Sequence, residues 1–245
     1  LAPVAYLNLR QFTQSARQPL RQASLFFRKE GVTDFIVDLR YNGGGLLSVA
    51  DLMLDLLGGR LAAGERSFYL AHNKQRSAYD SQNEAFFTPL RESVAPLRFA
   101  FITTGSTASA SELVINSLAP HSEVVLIGSN TRGKAVGQYA FDQSGCDARL
   151  RLVSFEIANG EGIGGYYNGL ANTGRFTLCA AQDDLSRAFT DLQETSIATA
   201  LQWLSDGVCP ENLASKRSRE SRKNVLPDWV LELQFFDRTL DPMRY

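Results

Sequence analysis

The sequence predicts an α/β fold in which largely parallel strands alternate with helices. Two stretches share one pattern, an apolar strand followed by a turn of small residues and then a helix: residues 34–57 and 97–119. Another apolar strand follows the second helix at 123–128. Because this alternation is typical of parallel sheets, in which ligands bind where strands end, both small-residue turns are candidate sites.

Hydrophobic periodicity predicts the individual elements. Strands are expected where short runs are apolar or alternate in polarity: 4–9, 34–40, 97–103 and 123–128. The second of these strands, DFIVDLR, has a β-branched centre that suits a sheet buried on both faces. Helices are expected where apolar residues recur on one face: 19–30, 46–57, 111–119 and 184–206. Glycine follows the second and the last of these helices and is expected to end them.

Composition and charge limit the classes of protein to which the chain can belong. Of its 245 residues, 44% are hydrophobic and 21% are charged, as in an ordinary soluble globular protein. The net charge of -1 gives no reason to expect nucleic acid or an anionic membrane as a partner. No apolar run approaches the ~20 residues that span a bilayer. Because the sequence starts at Leu1 without a signal peptide, we expect a processed form or an excised piece whose targeting segment is missing.

The three cysteines, Cys146, Cys179 and Cys209, share no metal-ligand spacing such as C-x-x-C. They are either three reduced thiols that pack as small apolar residues, or one disulfide and one free thiol. A disulfide would indicate an oxidising compartment. The sequence leaves the pairing open, and it predicts no metal site.

The segment GSNTRGKA at 128–135 matches the phosphate-binding motif G-x-x-x-x-G-K-[ST] except at Ala135. The motif needs a hydroxyl at that position for magnesium, and a helix must follow. Residues 135–142 instead carry alternating apolar side chains, which fit a strand or a bend. Nucleotide binding is therefore a weak hypothesis, and Lys134 needs another role.

A second glycine pattern matches G-x-G-x-x-G at Gly160, Gly162 and Gly165. A dinucleotide site would need an apolar helix directly after it, but the sequence that follows is typical of a loop. We therefore expect no nucleotide cofactor.

The turn TGSTASASE at 104–112 offers a nucleophile, because it carries Ser106, Ser109 and Ser111 where a strand gives way to a helix. The N–H groups at a helix N-terminus favour negative charge. A serine at such a turn could attack a carbonyl group whose developing oxyanion those amides stabilise.

A nucleophilic serine needs a base. The chain has two histidines, His72 and His121, and either could serve in a Ser-His-Asp triad. A neutral lysine is the other option, since burial favours the uncharged amine. Lys134 follows an apolar strand and a small-residue turn, so it could be buried in this way.

Three segments together resemble the C-terminal processing (tail-specific) proteases of peptidase family S41: DLRYNGGG at 38–45, STASASE at 106–112 and NTRGKAVGQ at 130–138. Members of that family typically show D-L-R-x-N-x-G-G, S-A-S-A-S-E and T-x-G-K-x-x-x-Q. Their catalytic serine precedes the lysine by 25 positions, and the same spacing separates Ser109 from Lys134. The resemblance therefore selects Ser109 over the other serines.

The resemblance implies a serine endopeptidase with a Ser-Lys dyad that cleaves a polypeptide substrate through an acyl-enzyme and needs no cofactor. Ser109 would be the nucleophile, Lys134 the general base, and Gln138 the residue that positions the lysine. The implied fold is a crotonase/ClpP-like α/β core of mixed sheet and helices. We expect residues 1–209 to form this core and residues 210–245 to form a polar linker and a tail that packs on it.

The same resemblance implies an oxyanion hole formed by the N–H of Ala110 and a glycine N–H of the YNGGG turn. The alignment offers Gly44 and Gly45, and we favour Gly44. Thr107 replaces the more usual alanine two residues before the nucleophile, which we take as a small change. Arg132 stands where an aromatic residue is common, and its charge would disfavour a charged lysine nearby.

A looser resemblance to bacterial exported members predicts export, either to the periplasm or with a membrane anchor that this sequence lacks. No PDZ-like segment is visible. The runner-up function is a catalytically silent member that binds peptides or partners, although such a protein has no chemical need for an intact serine, lysine and glutamine. Nucleotide binding is the weakest of the three hypotheses.

Overall fold

The structure is a computed structural model that describes residues 3–78 and 83–210 and the backbone of residues 230–234. Its strands, in chain order, are β1 (Val4–Asn8), β2 (Asp34–Asp38), β3 (Arg66–His72), β4 (Glu84–Phe86), β5 (Arg98–Thr103), β6 (Glu123–Gly128), β7 (Val136–Asp142), β8 (Arg149–Asn159), β9 (Thr177–Ala180) and β10 (Val230–Gln234). The α-helices are α1 (Arg17–Lys29), α2 (Leu47–Gly58), α3 (Ala110–Leu118) and α4 (Thr195–Asp206). None of these described helices has the length and apolar character needed to cross a membrane.

The larger sheet has six parallel strands in the order β10-β1-β2-β5-β6-β9. The predicted α/β fold is therefore confirmed. Because all these strands run in the same direction, the residues that follow β2, β5 and β6 meet at one edge of the sheet. The YNGGG turn, the serine turn and the GSNTRGKA segment follow these three neighbouring strands.

Both faces of this sheet are covered by apolar cores. In β2, Phe35 and Val37 belong to the core that includes α1, α2 and α3, whereas Ile36 belongs to the core that includes α4. All three side chains are at most 1% exposed. The burial of each contributes about 1.5–3 kcal/mol to folding. The prediction that the 34–40 strand is buried on both faces is confirmed.

A smaller antiparallel sheet in the order β4-β3-β8-β7 packs against α3. Strand β3 pairs with β8 only between Phe155 and Asn159. The first part of β8, from Arg149 to Val153, pairs with β7 alone. Strands β7 and β8 thus form a hairpin whose outer half extends beyond the rest of the sheet, and we call this half the hairpin arm.

The helix expected over residues 184–206 is wrong in its first part, because only Thr195–Asp206 is helical. The preceding residues form turns. Asp184 Oδ1 accepts the N–H of Ser186, and Asp191 Oδ1 accepts the N–H of Gln193. Such local bonds from aspartate to the backbone compete with helix formation.

A disulfide joins Cys179 in β9 to Cys209 after α4, and Cys146 is a free, exposed cysteine in the β7–β8 turn. The structure thus follows the alternative of one disulfide and one free thiol. Strand β10 pairs with β1 at the edge of the larger sheet. Residues 211–229 and 235–245 lie outside the described residues, so the division into a core over 1–209 and a tail over 210–245 stays a prediction.

Candidate active site

Ser109 lies between β5 and α3, directly before the first residue of the helix. Its backbone has φ 58° and ψ −115°, a conformation that L-residues rarely adopt. Such a conformation costs about 1–3 kcal/mol and is most often found at functional sites. Ser109 is half-buried, whereas Ser106 is exposed and Ser111 is fully buried.

The YNGGG turn packs directly against this serine. A Cβ atom at Gly44 would lie 2.9 Å from the Ala108 oxygen, from the Ala110 nitrogen and from Ser109 Cβ. Gly44 also has φ 101°, which favours glycine. A side chain at this position would therefore separate the two turns. Because glycine has none, the Gly44 backbone packs against Ser109.

Asn42 joins the two turns through hydrogen bonds. Its carbonyl oxygen accepts the Ala108 N–H and the Ser111 hydroxyl, both at 3.0 Å. Its amide group donates to the Leu9 oxygen at 2.8 Å, and its Oδ1 accepts the Gly44 N–H at 2.9 Å. Because Asn42 is fully buried, these bonds are shielded from water and fix the relative positions of both turns.

The backbone N–H groups near Ser109 differ in whether they already donate a hydrogen bond. The Gly44 N–H, which the sequence favoured for the oxyanion hole, donates to Asn42. The N–H groups of Gly45 and Ala110 have no acceptor among the described residues. The Gly44 carbonyl and the Leu46 N–H both face Phe12, so the Gly45 N–H points away from that residue.

Glu112 connects the serine turn to the loop that carries Lys134. Its Oε2 accepts the Ser109 N–H at 2.9 Å and the Lys134 N–H at 2.8 Å, and its Oε1 accepts the Gly133 N–H at 2.7 Å. The carboxylate is fully buried. One oxygen atom thus lies within 3 Å of the backbone nitrogens of both Ser109 and Lys134. The two residues are neighbours although 25 positions separate them.

The side chains of Lys134 and Gln138 are more accessible than the residues around Ser109. Lys134 is half-buried, and Gln138 is exposed on β7. Among the described residues, no hydrogen bond joins the Lys134 amine to the Ser109 hydroxyl or to Gln138. Catalytic hydrogen bonds are often long in enzymes without substrate. Arg132 is also exposed, and its N–H donates to the Thr107 oxygen at 2.9 Å.

The contacts described for the two histidines lie away from the serine turn. His121 follows the C-terminal end of α3, so the helix, about 13 Å long, separates it from Ser109 at the other end. His121 Nδ1 lies 3.7 Å from Glu65 Oε2. His72 Nε2 is 2.9 Å from the hydroxyl of Tyr139 in the smaller sheet.

The GSNTRGKA segment is not built as a phosphate loop. Strand β7 follows it where a phosphate loop needs a helix. The N–H groups of Gly133 and Lys134, which a phosphate would require, are occupied by the Glu112 carboxylate. A buried carboxylate at this place would also repel an anionic phosphate.

The second glycine pattern continues into a loop that covers the Lys134 segment. Leu170 N–H donates to Thr131 Oγ1 and Ala171 N–H donates to Asn130 Oδ1, both at 2.9 Å. Tyr166 in this loop is buried, and burial together with the charge of Glu112 raises the pKa of its phenol. No apolar helix follows the pattern, as expected. In the described residues no cluster of His, Cys, Asp and Glu could hold a metal ion.

Three residues have structural roles at the site that the sequence did not predict. Glu112 could have been found, because Ser109 and Glu112 match the S-x-x-E capping box. Asn42 stands in a quoted motif, but its hydrogen bonds cross between distant segments. Thr107, where the family pattern predicts only a small change from alanine, is buried, accepts the Thr104 N–H at 3.0 Å and donates to the Leu39 oxygen at 2.8 Å.

The sequence profile of peptidase family S41 matches residues 3–163, which include the serine turn, the YNGGG turn and the lysine loop. This match covers more than half of the chain, so the chain belongs to peptidase family S41. The predicted family and the α/β fold with mixed sheets are therefore confirmed.

Named relatives and solved structures agree with this assignment. The chain is 29% identical over 154 residues to a carboxyl-terminal-processing protease of Synechocystis sp., covering 62% of this chain and 34% of the relative. It is 29% identical over 146 residues to the chloroplastic carboxyl-terminal-processing peptidase 1 of Arabidopsis thaliana, covering 57% and 27%. The chain thus spans about a third of the length of these curated relatives.

The crystal structure of a putative S41 protease from Bacteroides fragilis has a TM-score of 0.73 and 28% identity, covering 83% of this chain and 54% of the other. The photosystem II D1 C-terminal processing protease has a TM-score of 0.53 and 22% identity, covering 67% and 40%. At that identity the second likeness concerns the fold alone.

Proposed function

We propose that this chain is the catalytic core of a serine endopeptidase in which Ser109 is the nucleophile and Lys134 the general base. The observation that carries the proposal is the Glu112 carboxylate, because one of its oxygens binds the backbone N–H of both residues. Membership of family S41 and the names of the relatives also support it. An amine at Lys134 can then reach the Ser109 hydroxyl through rotation of its side chain.

The first half of the reaction is acylation. The neutral amine of Lys134 takes the proton of the Ser109 hydroxyl while the serine oxygen attacks the carbonyl carbon of the scissile peptide. Negative charge develops on the carbonyl oxygen, and the Ala110 N–H at the start of α3 donates to it. Collapse of the tetrahedral intermediate expels the amine half of the substrate, which takes its proton from the ammonium group of Lys134.

The second half of the reaction is hydrolysis of the acyl-enzyme. Lys134, again neutral, removes a proton from a water molecule that attacks the ester carbon. The Ala110 N–H also stabilises the second oxyanion. When this intermediate collapses, the Ser109 oxygen leaves and takes its proton back from Lys134. Gln138 would orient the amine from the neighbouring strand. This role requires its exposed side chain to turn toward Lys134.

The second donor of the oxyanion hole is assigned to Gly45 rather than Gly44. The Gly44 N–H already donates to Asn42, whereas the Gly45 N–H has no acceptor among the described residues. The packing of Gly44 against Ser109 still has a function, because it places the next N–H beside the nucleophile. Gly44 would thus be required for its shape and Gly45 for its hydrogen bond.

The substrate class is an extended polypeptide. The relatives are named for the processing of carboxyl termini, and we propose a related substrate for this chain. An extended peptide can add as a strand to an open sheet edge, and β7 is such an edge directly after the lysine loop. The alternative is a catalytically silent protein that binds peptides on the same surface.

Cleavage of unfolded casein by the purified chain tests the proposal. We expect the wild type to cleave and both Ser109→Ala and Lys134→Ala to lose at least about a thousandfold in rate. Ser106→Ala and Lys29→Ala, two exposed positions, are the matched controls and should retain full activity. Cleavage that persists in Lys134→Ala would exclude the dyad. A wild type that binds casein without cleaving it would favour the silent alternative.

We also propose that the protein is exported to an oxidising compartment. The Cys179–Cys209 disulfide supports this proposal, since disulfides persist mainly outside reducing compartments. Mass spectrometry of protein alkylated in intact cells should find this pair oxidised and Cys146 free. A reduced pair in rapidly quenched cells would contradict export.

A further inference from the structure

Residues 181–194, which we call the latch segment, connect β9 to α4 and lie outside the part of the chain that the S41 profile matches. The latch segment contacts Arg40, which lies two residues after the end of β2 and is only 2% exposed. Arg40 Nη1 lies 3.0 Å from Glu194 Oε1 and 3.5 Å from Asp183 Oδ1. The other terminal nitrogen of Arg40, Nη2, lies 2.7 Å from Asp38 Oδ2. The guanidinium is thus held between the end of β2 and both ends of the latch segment.

An aromatic residue in the middle of the latch segment adds to this contact. The guanidinium carbon of Arg40 lies 4.7 Å from the centroid of the Phe189 ring, and the guanidinium carbon of Arg10 lies 5.4 Å from it. Each arrangement is a cation–π interaction, worth about 0.5–2 kcal/mol depending on exposure. The latch segment therefore binds residues that follow two different strands at the carboxyl edge of the sheet.

Tyr41, the residue after Arg40, enters the YNGGG turn in a strained conformation. Its φ of 63° is a genuine outlier for a bulky residue and costs about 1–3 kcal/mol. Two contacts hold it: its N–H donates to Thr104 Oγ1 at 3.3 Å, and its hydroxyl donates to Asp183 Oδ2. The ring is 42% exposed, so packing does little to fix it, and Asp183 is its anchor.

We propose that the latch segment belongs to the catalytic apparatus, with Asp183 and Tyr41 as positioning residues that hold the oxyanion turn in place. The proposal rests on the proposed function. The contact passes from Asp183 to Tyr41 and then along the backbone to Asn42. Asn42 binds the serine turn and Gly44, so a shift at Tyr41 moves the Gly45 N–H relative to Ser109.

Because oxyanion donors act within tenths of an ångström, this positioning affects the rate of the chemical step more than substrate binding. The latch segment thus extends the site beyond the motifs of the family. Arg40 stays paired with Asp38 when Asp183 is changed, so the buried cation is not left alone. Substitution at Asp183 should therefore leave the fold intact.

The test compares Asp183→Ala, Tyr41→Phe and the double variant with the wild type of the full chain. We expect kcat on a peptide substrate to fall about tenfold in each single variant, with KM within twofold. The double variant should lose no more than the larger single effect, because both changes remove one hydrogen bond. Hydrogen exchange of the peptide covering residues 41–46 should become faster in all three. Asparagine tolerates a positive φ, so Tyr41→Asn provides a second variant if Tyr41→Phe folds poorly.

Two positions provide the matched controls: Asp206→Ala removes an exposed carboxylate at the end of α4, and Tyr69→Phe removes a hydroxyl from a half-buried residue of β3. Neither should change kcat or the exchange of residues 41–46. Unchanged exchange in Asp183→Ala, or a kcat equal to that of the controls, would overturn the proposal. If the wild type cleaves nothing, the proposed function fails, and the exchange of residues 41–46 still decides whether the latch segment holds the turn.

Discussion

The serine turn and the hairpin arm flank the same candidate site but are built in opposite ways. In the serine turn, Thr107 and Glu112 are fully buried, as is Asn42 in the adjoining YNGGG turn, and each makes hydrogen bonds to distant backbone. On the hairpin arm, the large apolar side chains are 47% to 62% exposed: Phe141, Leu150, Leu152 and Val153. Lys134 lies between the two regions and is attached to the first through Glu112.

This difference suits the tasks that we propose for the two sides. Oxyanion donors must be fixed before the reaction, because their reorganisation would cost part of the stabilisation they provide. The serine turn sits at the ends of central parallel strands, where several segments can hold it. A general base needs only to reach the proton that it removes, and a surface that binds substrate must be accessible to it. The hairpin arm pairs only within itself, so it leaves such a surface accessible.

Glu112→Gln should give the largest effect, because it breaks the link between the two sides. Glutamine offers one acceptor oxygen for three backbone N–H groups and directs an NH2 group at the others. We expect a loss of about 4 kcal/mol in the free energy of unfolding, measured by urea denaturation, and loss of cleavage. Glu123→Gln, at an exposed position, is the control and should change stability by less than about 0.5 kcal/mol. Equal stability of both variants would mean that the carboxylate does not join the two segments.

Gly44→Ala tests the close packing of the serine side. The new Cβ would meet three backbone or Cβ atoms at 2.9 Å, and φ at this position is 101°. We expect a loss of about 3 kcal/mol, because strain and contact add, together with loss of cleavage. Gly64→Ala separates the two causes, since Gly64 has φ 82° and open space around it. That control should lose only about 1 kcal/mol. An equal loss in both variants would show that contact with the serine turn is absent.

Leu152→Ala should have the smallest effect, because the side chain on the hairpin arm is 47% exposed. We expect a change of less than about 0.5 kcal/mol in the free energy of unfolding. Leu126→Ala, the same change at a fully buried position of β6, should cost about 3 kcal/mol. Comparable losses at both positions, measured by thermal denaturation at several protein concentrations, would indicate that the arm is covered in solution.

Local patterns in the sequence predicted the central strands and three of the helices. The family resemblance selected Ser109 and Lys134, whose roles as nucleophile and base stay a prediction. The strand over 34–40 could be recognised because its apolar run is continuous, and α2 because its periodicity ends at glycine. Strands β3, β4, β8, β9 and β10 were missed, since they are short or mixed in polarity and owe their conformation to pairing with other strands. The helix over 184–194 was predicted wrongly, because aspartate side chains bind the local backbone instead.

The sequence by itself determined which chemical groups this protein carries and at what spacing, because motifs and periodicity are local properties of the chain. Only the tertiary structure decided which of these groups meet and which are already engaged. It bound the Asn42 side chain to Leu9 and the Asn42 carbonyl oxygen to the serine turn, and it attached the backbones of Ser109 and Lys134 to one buried carboxylate. Hydrogen bonds between segments far apart in sequence exist only after the parallel strands have brought their carboxyl ends to the same edge.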